Sequence, residues 1–165
     1  MLVYLIRHGI AVDREDPNCP PDTERHLTPK GIKRTRAAAL GLLALKAKPD
    51  AVLTSPWLRA LQTAEIFCKV FSIPSKKIIR MDALKGTSAP SDLFRELQSM
   101  KAKTVFCFGH EPHLHLVIAY ALHTNAKITE LKKAGLALLE LERFSPPNAR
   151  LLALYPASTL RLLAE

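Results

Sequence analysis

Cysteine is scarce in this chain: Cys19, Cys68 and Cys107 are scattered over 165 residues. An odd, dispersed set excludes a disulfide framework and fits a reducing compartment, so a cytoplasmic location is expected. Long apolar runs are missing too. No uncharged stretch reaches the ~20 residues that span a bilayer. The first apolar run, Leu2–Ile6, stops after five residues at Arg7 and has no basic segment ahead of it, so it does not read as a secretory signal. Internal repeats, low-complexity tracts and an obvious linker are also absent. One domain over residues 1–165 is expected, long enough to bury ~70% of the surface its unfolded chain exposes.

Acidic residues are the minority, 15 against 24 basic ones, for a formal charge of +9. Such an excess favours anionic partners. The basic residues are dispersed, with short pairs such as Lys76–Lys77 and Lys132–Lys133, and aromatics make up only 6%. Without a groove-reading motif, the charge argues against nucleic acid as a primary partner.

What the chain does have is an apolar strand that ends abruptly in Arg7-His8-Gly9. Ligand chemistry in open α/β sheets gathers beyond the carboxyl ends of such strands. Arg offers a fork of donors to phosphate oxygens, and His can act as nucleophile or as acid and base. Gly9 is expected to let backbone approach a ligand closely. The segment from Ala11 to Arg25 reads as a polar loop. Thr28-Pro29 then opens a helix to about Lys46, with Thr28 as cap and Pro29 at the first helical position. A short strand, Ala51–Thr54, leads through Ser55-Pro56 into a helix from Trp57 to Phe71. A strand at Lys77–Arg80 and a helix at Asp92–Met100, opened by Ser91 or Pro90, follow. Thr104–Phe108 is a second strongly apolar strand, and it stops at Gly109-His110. Pro112 opens a helix to about Leu122; Leu136–Leu141 and Leu151–Tyr155 read as strands, and Pro156–Ala164 as a closing helix. Strands alternating with helices predict a three-layer α/β/α fold around a mainly parallel sheet.

Three strand ends thereby converge: Arg7-His8, then Ser55 with Arg59, then His110-Glu111. Two arginines and two histidines at one rim fit a tetrahedral phosphoryl group. One imidazole attacks phosphorus and water then hydrolyses the phosphohistidine, while the remaining groups offset charge on the oxygens. Arginine supplies the stabilisation that magnesium supplies elsewhere, so no metal or cofactor is expected. On residue chemistry alone His8 and His110 are equivalent candidates for the nucleophile.

Other patterns weigh less. His110, His113 and His115, with Glu111 between them, do not share one helical face at three- or four-residue spacing, which counts against a metal site. Cys19 and Arg25 satisfy a Cys-x5-Arg spacing, but Pro20 and Pro21 lack the N–H groups that cradle phosphate, and Asp22 and Glu24 would repel it. Ser55 is read as a helix cap or a phosphate contact. Glu111 is read as a substrate contact or a partner of the helix dipole. His26 and His123 read as ordinary surface or packing histidines, and Trp57 as packing against the sheet.

LIRHGIA at Leu5–Ala11, HLTPKG at His26–Gly31, LTSPWLRALQTAEI at Leu53–Ile66, GHEP at Gly109–Pro112, KKAGLALLEL at Lys132–Leu141 and LYPASTLRLL at Leu154–Leu163 carry a resemblance. The chain resembles the histidine phosphatase superfamily, with its phosphoglycerate mutase-like fold, and within it the small SixA-type phosphohistidine phosphatases. The resemblance implies that His8 accepts the phosphoryl group, that Arg7 and Arg59 hold its oxygens, and that His110 assists transfer. Larger members carry an acidic proton donor after the second helix; here Met81–Pro90 offers only Asp82. The implied substrate is a phosphohistidine on a protein of phosphorelay or phosphotransfer type, taken by a monomer. A small phosphomonoester, or phosphate binding without turnover, is the alternative.

Overall fold

The computed structural model describes residues 1–164, whose strands form one six-stranded sheet. In chain order the elements are β1 (Leu2–Arg7), α1 (Pro29–Ala44), β2 (Ala51–Thr54), α2 (Leu58–Val70), β3 (Ile78–Arg80) and α3 (Pro90–Gln98). Then come β4 (Thr104–Gly109), α4 (His113–Ala121), β5 (Leu136–Phe144), β6 (Pro147–Tyr155) and α5 (Ala157–Leu162). The sheet order is β3-β2-β4-β1-β5-β6. The first four strands pair in parallel, whereas β5 runs antiparallel to β1 and β6 antiparallel to β5.

Period-two alternation sends successive strand residues to opposite faces. Val3 and Leu5 of β1, with Val105 and Cys107 of β4, pack against Leu93, Phe94 and Leu97 of α3 and Leu114, Val117 and Ile118 of α4. Tyr4, Ile6, Phe106 and Phe108 face the other way, onto Ala38, Ala39 and Leu42 of α1, Phe67 of α2 and Leu160 of α5. The three expected layers are therefore present. Among the described residues no helix is long and apolar enough to cross a membrane.

Local chemistry sets the element starts. Thr28 caps α1 by accepting the Gly31 N–H at 3.0 Å, and Pro29 occupies the first turn. Pro90, rather than Asp92, begins α3. The last two strands are longer than their apolar patterns, nine residues each. Their outer halves are polar, so pairing with each other extends them, with Arg150 bridging Glu140 at 2.5 Å and Glu142 at 3.0 Å.

The glycines mark close contacts. A Cβ on Gly41 of α1 would sit 1.7 Å from the Leu160 carbonyl oxygen of α5. Gly41→Ala must displace α5, and a loss of about 1–3 kcal/mol is expected, as for overpacked cores. An unchanged urea midpoint would show that α5 is free to move. Gly9 gives room to a helix: a Cβ there would meet the Thr35 hydroxyl of α1 at 2.3 Å.

Candidate active site

Because β4 lies between β2 and β1, the carboxyl ends of these three parallel strands sit side by side. Arg7 closes β1 and His8 follows it; Ser55 follows β2; His110 follows β4. His8 is buried, 3% exposed. Its Nδ1 lies 2.7 Å from the Gly9 carbonyl oxygen. A carbonyl only accepts, so Nδ1 carries the proton and the Nε2 lone pair is left facing the site. Burial, with the Lys133, His110 and Arg59 charges nearby, holds the His8 ring far below its ordinary pKa. The imidazole is neutral at pH 7, as a nucleophile must be.

Cations surround that lone pair. Arg59 Nε donates to His8 Nε2 at 3.2 Å. The other end of the Arg59 guanidinium donates from Nη1 to the Asp22 backbone carbonyl and from Nη2 to the Asp22 carboxylate at 3.2 Å. Burial alone would raise the Asp22 carboxyl, but hydrogen bonds and charge from Arg25, Arg59 and Arg14 outweigh it and hold it at about 2. Arg25 is further tied to the Val12 carbonyl through Nε at 2.9 Å and Nη2 at 2.6 Å. The loop between β1 and α1 is thus folded back over α2 by one carboxylate gripping three guanidiniums. Arg7 donates from Nη1 to the Leu131 carbonyl at 2.5 Å, while its buried Nε has no partner among the described residues.

His110 Nε2 lies 2.8 Å from the Ser55 hydroxyl oxygen, which also accepts the Trp57 N–H at 3.3 Å. Ser55 therefore opens the turn before α2 and orients His110 together. The His110 ring centroid is 5.2 Å from that of His8. Burial first, then Arg59, lowers its pKa to about 3 against the pull of Asp22. Trp57 does not pack on the sheet as expected. It stands 4.6 Å from the His110 ring and stacks over Arg59 at 4.9 Å, walling the site.

One residue of the site escaped the sequence reading. Lys133 Nζ comes within 3.5 Å of His8 Nε2. Ala134 brings it there with a positive φ of 59°, its N–H shared between the Arg7 and His8 carbonyls at 3.1 and 3.2 Å. Burial, then Arg7, Arg25 and Arg59, pushes the Lys133 ammonium down to about 8. A lysine pair ahead of a strand was the only local signal. The cleft beside these groups measures about 480 Å³ and is lined by Arg7, His8, Arg59, Lys133, Arg25 and Glu111, among others; His110, Ser55 and Trp57 stand behind this lining.

The remaining candidates are used differently. Asp82 is 80% exposed at its side chain and pairs with Lys85 at 2.8 Å; it does not line the cleft. Glu111 accepts Leu131 N–H at 2.8 Å and His115 N–H at 3.1 Å, so both oxygens tie the segment before β5 to α4. His110, His113 and His115 form no metal-holding cluster among the described residues. Cys19 lies outside the cleft, and His26 and His123 are exposed.

Three buried imidazoles have a stability consequence. His8, His110 and His113 all have depressed pKa values, with burial the largest cause for each. Below about pH 6.5 the unfolded chain takes up protons that the folded one refuses, so stability falls as pH drops. A urea midpoint steady from pH 8 to 6.5 and declining towards pH 4 is expected; constancy down to pH 4 would contradict it.

Residues 3–86 match the histidine phosphatase superfamily (branch 1). An uncharacterized protein of Picosynechococcus sp. is 37% identical over 139 residues, 82% of each chain. Among solved structures, the protein histidine phosphatase SixA complexed with tungstate is similar at a TM-score of 0.85 and 24% identity, over 97% of this chain and 99% of that one. A phosphoserine phosphatase variant from Entamoeba histolytica, in complex with phosphoserine, reaches a TM-score of 0.72 at 17% identity, over 96% and 98%. At these identities the two structures speak for the fold alone. With the family match over its first half and a relative that shares most of its length, this chain belongs to the histidine phosphatase superfamily, branch 1.

Proposed function

We propose that the protein is a metal-independent phosphatase that removes phosphate from phosphohistidine on another protein. The observation that carries the reading is the His8 ring, pinned through Nδ1 to Gly9 with its Nε2 lone pair facing Arg59 and Lys133. In the first step the lone pair forms a bond to phosphorus while the bond from phosphorus to the substrate nitrogen breaks, its electrons staying on the substrate imidazole. In the second step water attacks phosphorus, the bond to Nε2 breaks, and its electrons return to His8 with inorganic phosphate released. Arg7, Arg59 and Lys133 offset the charge on the transferring oxygens, the role that divalent metal plays elsewhere. His110, held neutral by burial and the Arg59 charge and oriented by Ser55, contributes a hydrogen bond rather than a charge.

The carboxylates favour an imidazole leaving group over an alkoxide. Glu111 spends both oxygens on backbone N–H groups, and Asp82 is out in solvent. A phosphoimidazole whose second nitrogen is protonated leaves as a neutral ring and needs no acid, whereas an alkoxide does. The connection from β3 to α3, Met81–Ala89, is short and built around one 3-10 turn, which favours an open cleft able to meet a protein surface. On the same reading, residues 1–165 are one domain acting as a cytoplasmic monomer.

The test is hydrolysis of a phosphohistidine-bearing protein in the presence of a strong chelator. Quenched samples are examined for acid-labile, base-stable phosphate on the enzyme. Turnover insensitive to chelator, with phosphoenzyme present, is expected. Activity confined to small phosphate esters would replace the substrate, and none on either would indicate a phosphate-binding scaffold.

A further inference from the structure

A second cleft of about 320 Å³ lies behind the catalytic one, between α1, the segment before β5 and the start of α5. Ile10 and Lys133 line both clefts, so the two are neighbours across a single lysine. Arg34, Lys132, Lys133, Arg161 and the Ser158 hydroxyl surround the second cleft, and no carboxylate lines it. None of these four cations forms an ion pair among the described residues. Like charges gathered without a counter-charge repel and destabilise the fold. The acids that form ion pairs do so elsewhere, among them Asp22 on the catalytic loop and Glu140 and Glu142 on the hairpin. Glu130, paired with Lys127, lies near enough to Lys132 to feel its charge but does not line the cleft. The second cleft receives none of them.

We infer that this cleft is a substrate-docking subsite that takes an acidic side chain of the phosphoprotein, a carboxylate placed beside the phosphohistidine. The inference rests on the reading of a protein substrate above. Lys133 then serves both halves of the substrate, its ammonium between the phosphoryl group over His8 and the carboxylate behind it. Ser158 adds a hydroxyl donor, and Arg34 and Arg161 supply the outer charges. Long-range attraction of this kind acts mainly on encounter and on apparent affinity, and it weakens as salt screens it.

The experiment compares the wild type with an Arg34→Glu/Arg161→Glu double variant, neither residue touching the catalytic groups. For a phosphohistidine protein, KM rises about tenfold in the variant with kcat unchanged, the size expected for reversing two solvent-accessible charges. The wild-type KM climbs with added salt, and that slope is flattened in the variant. Hydrolysis of phosphorylated imidazole, which has no second anionic group, stays within twofold and reports an intact fold and active site. The reciprocal change, neutralising acids beside the phosphohistidine of the substrate, raises KM for the wild-type enzyme and keeps the inference testable should the double variant not fold. Unchanged KM and salt slope in either arm, with the wild type still hydrolysing the phosphoprotein, would overturn the subsite alone. A wild type inactive on any phosphoprotein overturns the functional reading and the subsite with it.

Discussion

His8→Ala protein folds, yet turns over substrate at least about 10⁴-fold more slowly than wild type and yields no phosphoenzyme, because removing a covalent nucleophile disables both half-reactions. The fold tolerates the change: the ring makes one hydrogen bond to backbone, at the Gly9 carbonyl, and its other polar contacts are to Arg59 and Lys133. Loss of the ring also removes a buried imidazole that resists protonation, so the acid sensitivity of stability is reduced in the same variant. Steady-state turnover and quench trapping on one preparation separate chemistry from folding, with circular dichroism as the control. Turnover within tenfold of wild type would move the nucleophile elsewhere, with His110 the next group to test. His110 Nε2 meets the neutral Ser55 hydroxyl, whereas His8 Nε2 faces Arg59 and Lys133, the cations suited to hold an arriving phosphoryl group, which makes His110 the poorer nucleophile.

Arg59→Ala is expected to lower kcat/KM by about 10³-fold, the scale on which single preorganised donors to a developing charge act. Arg59 does two jobs at once. Nε points at His8 Nε2, where the phosphoryl group arrives, and the Nη atoms grip the backbone and carboxylate of Asp22. The variant therefore also loosens the loop that carries Arg14 and Arg25. Faster tryptic cleavage at those two residues is the readout for that second effect. Arg59→Lys does not restore activity, because an ammonium cannot span three acceptors in a planar fork. A lysine variant with wild-type kcat/KM would reduce Arg59 to a mere positive charge.

Periodicity and caps carried most of the architecture. The apolar runs of β1 and β4 end where their Arg-His and Gly-His pairs begin, and Thr28-Pro29 starts α1 where its capping chemistry says. These signals are local, so they survive in one dimension. The polar ends of β5 and β6 were not legible, because only their pairing with each other makes them strands. The Ser55, Arg59 and His110 positions could be drawn together because parallel strands put their carboxyl ends on one rim.

By itself, then, the sequence determined the alternation of strands and helices, the strand ends that bear Arg7, His8, Ser55 and His110, and the family they mark. Tertiary structure alone decided how those groups are used. Lys133 reaches His8 across 125 positions of sequence through the bend at Ala134. Asp22 gathers Arg14, Arg25 and Arg59, Trp57 turns to the imidazole of His110, and Gly9 yields its space to Thr35. The physical reason is common to all four. A side chain's charge state and contacts depend on which distant groups share its burial, and chain order does not encode that nearness.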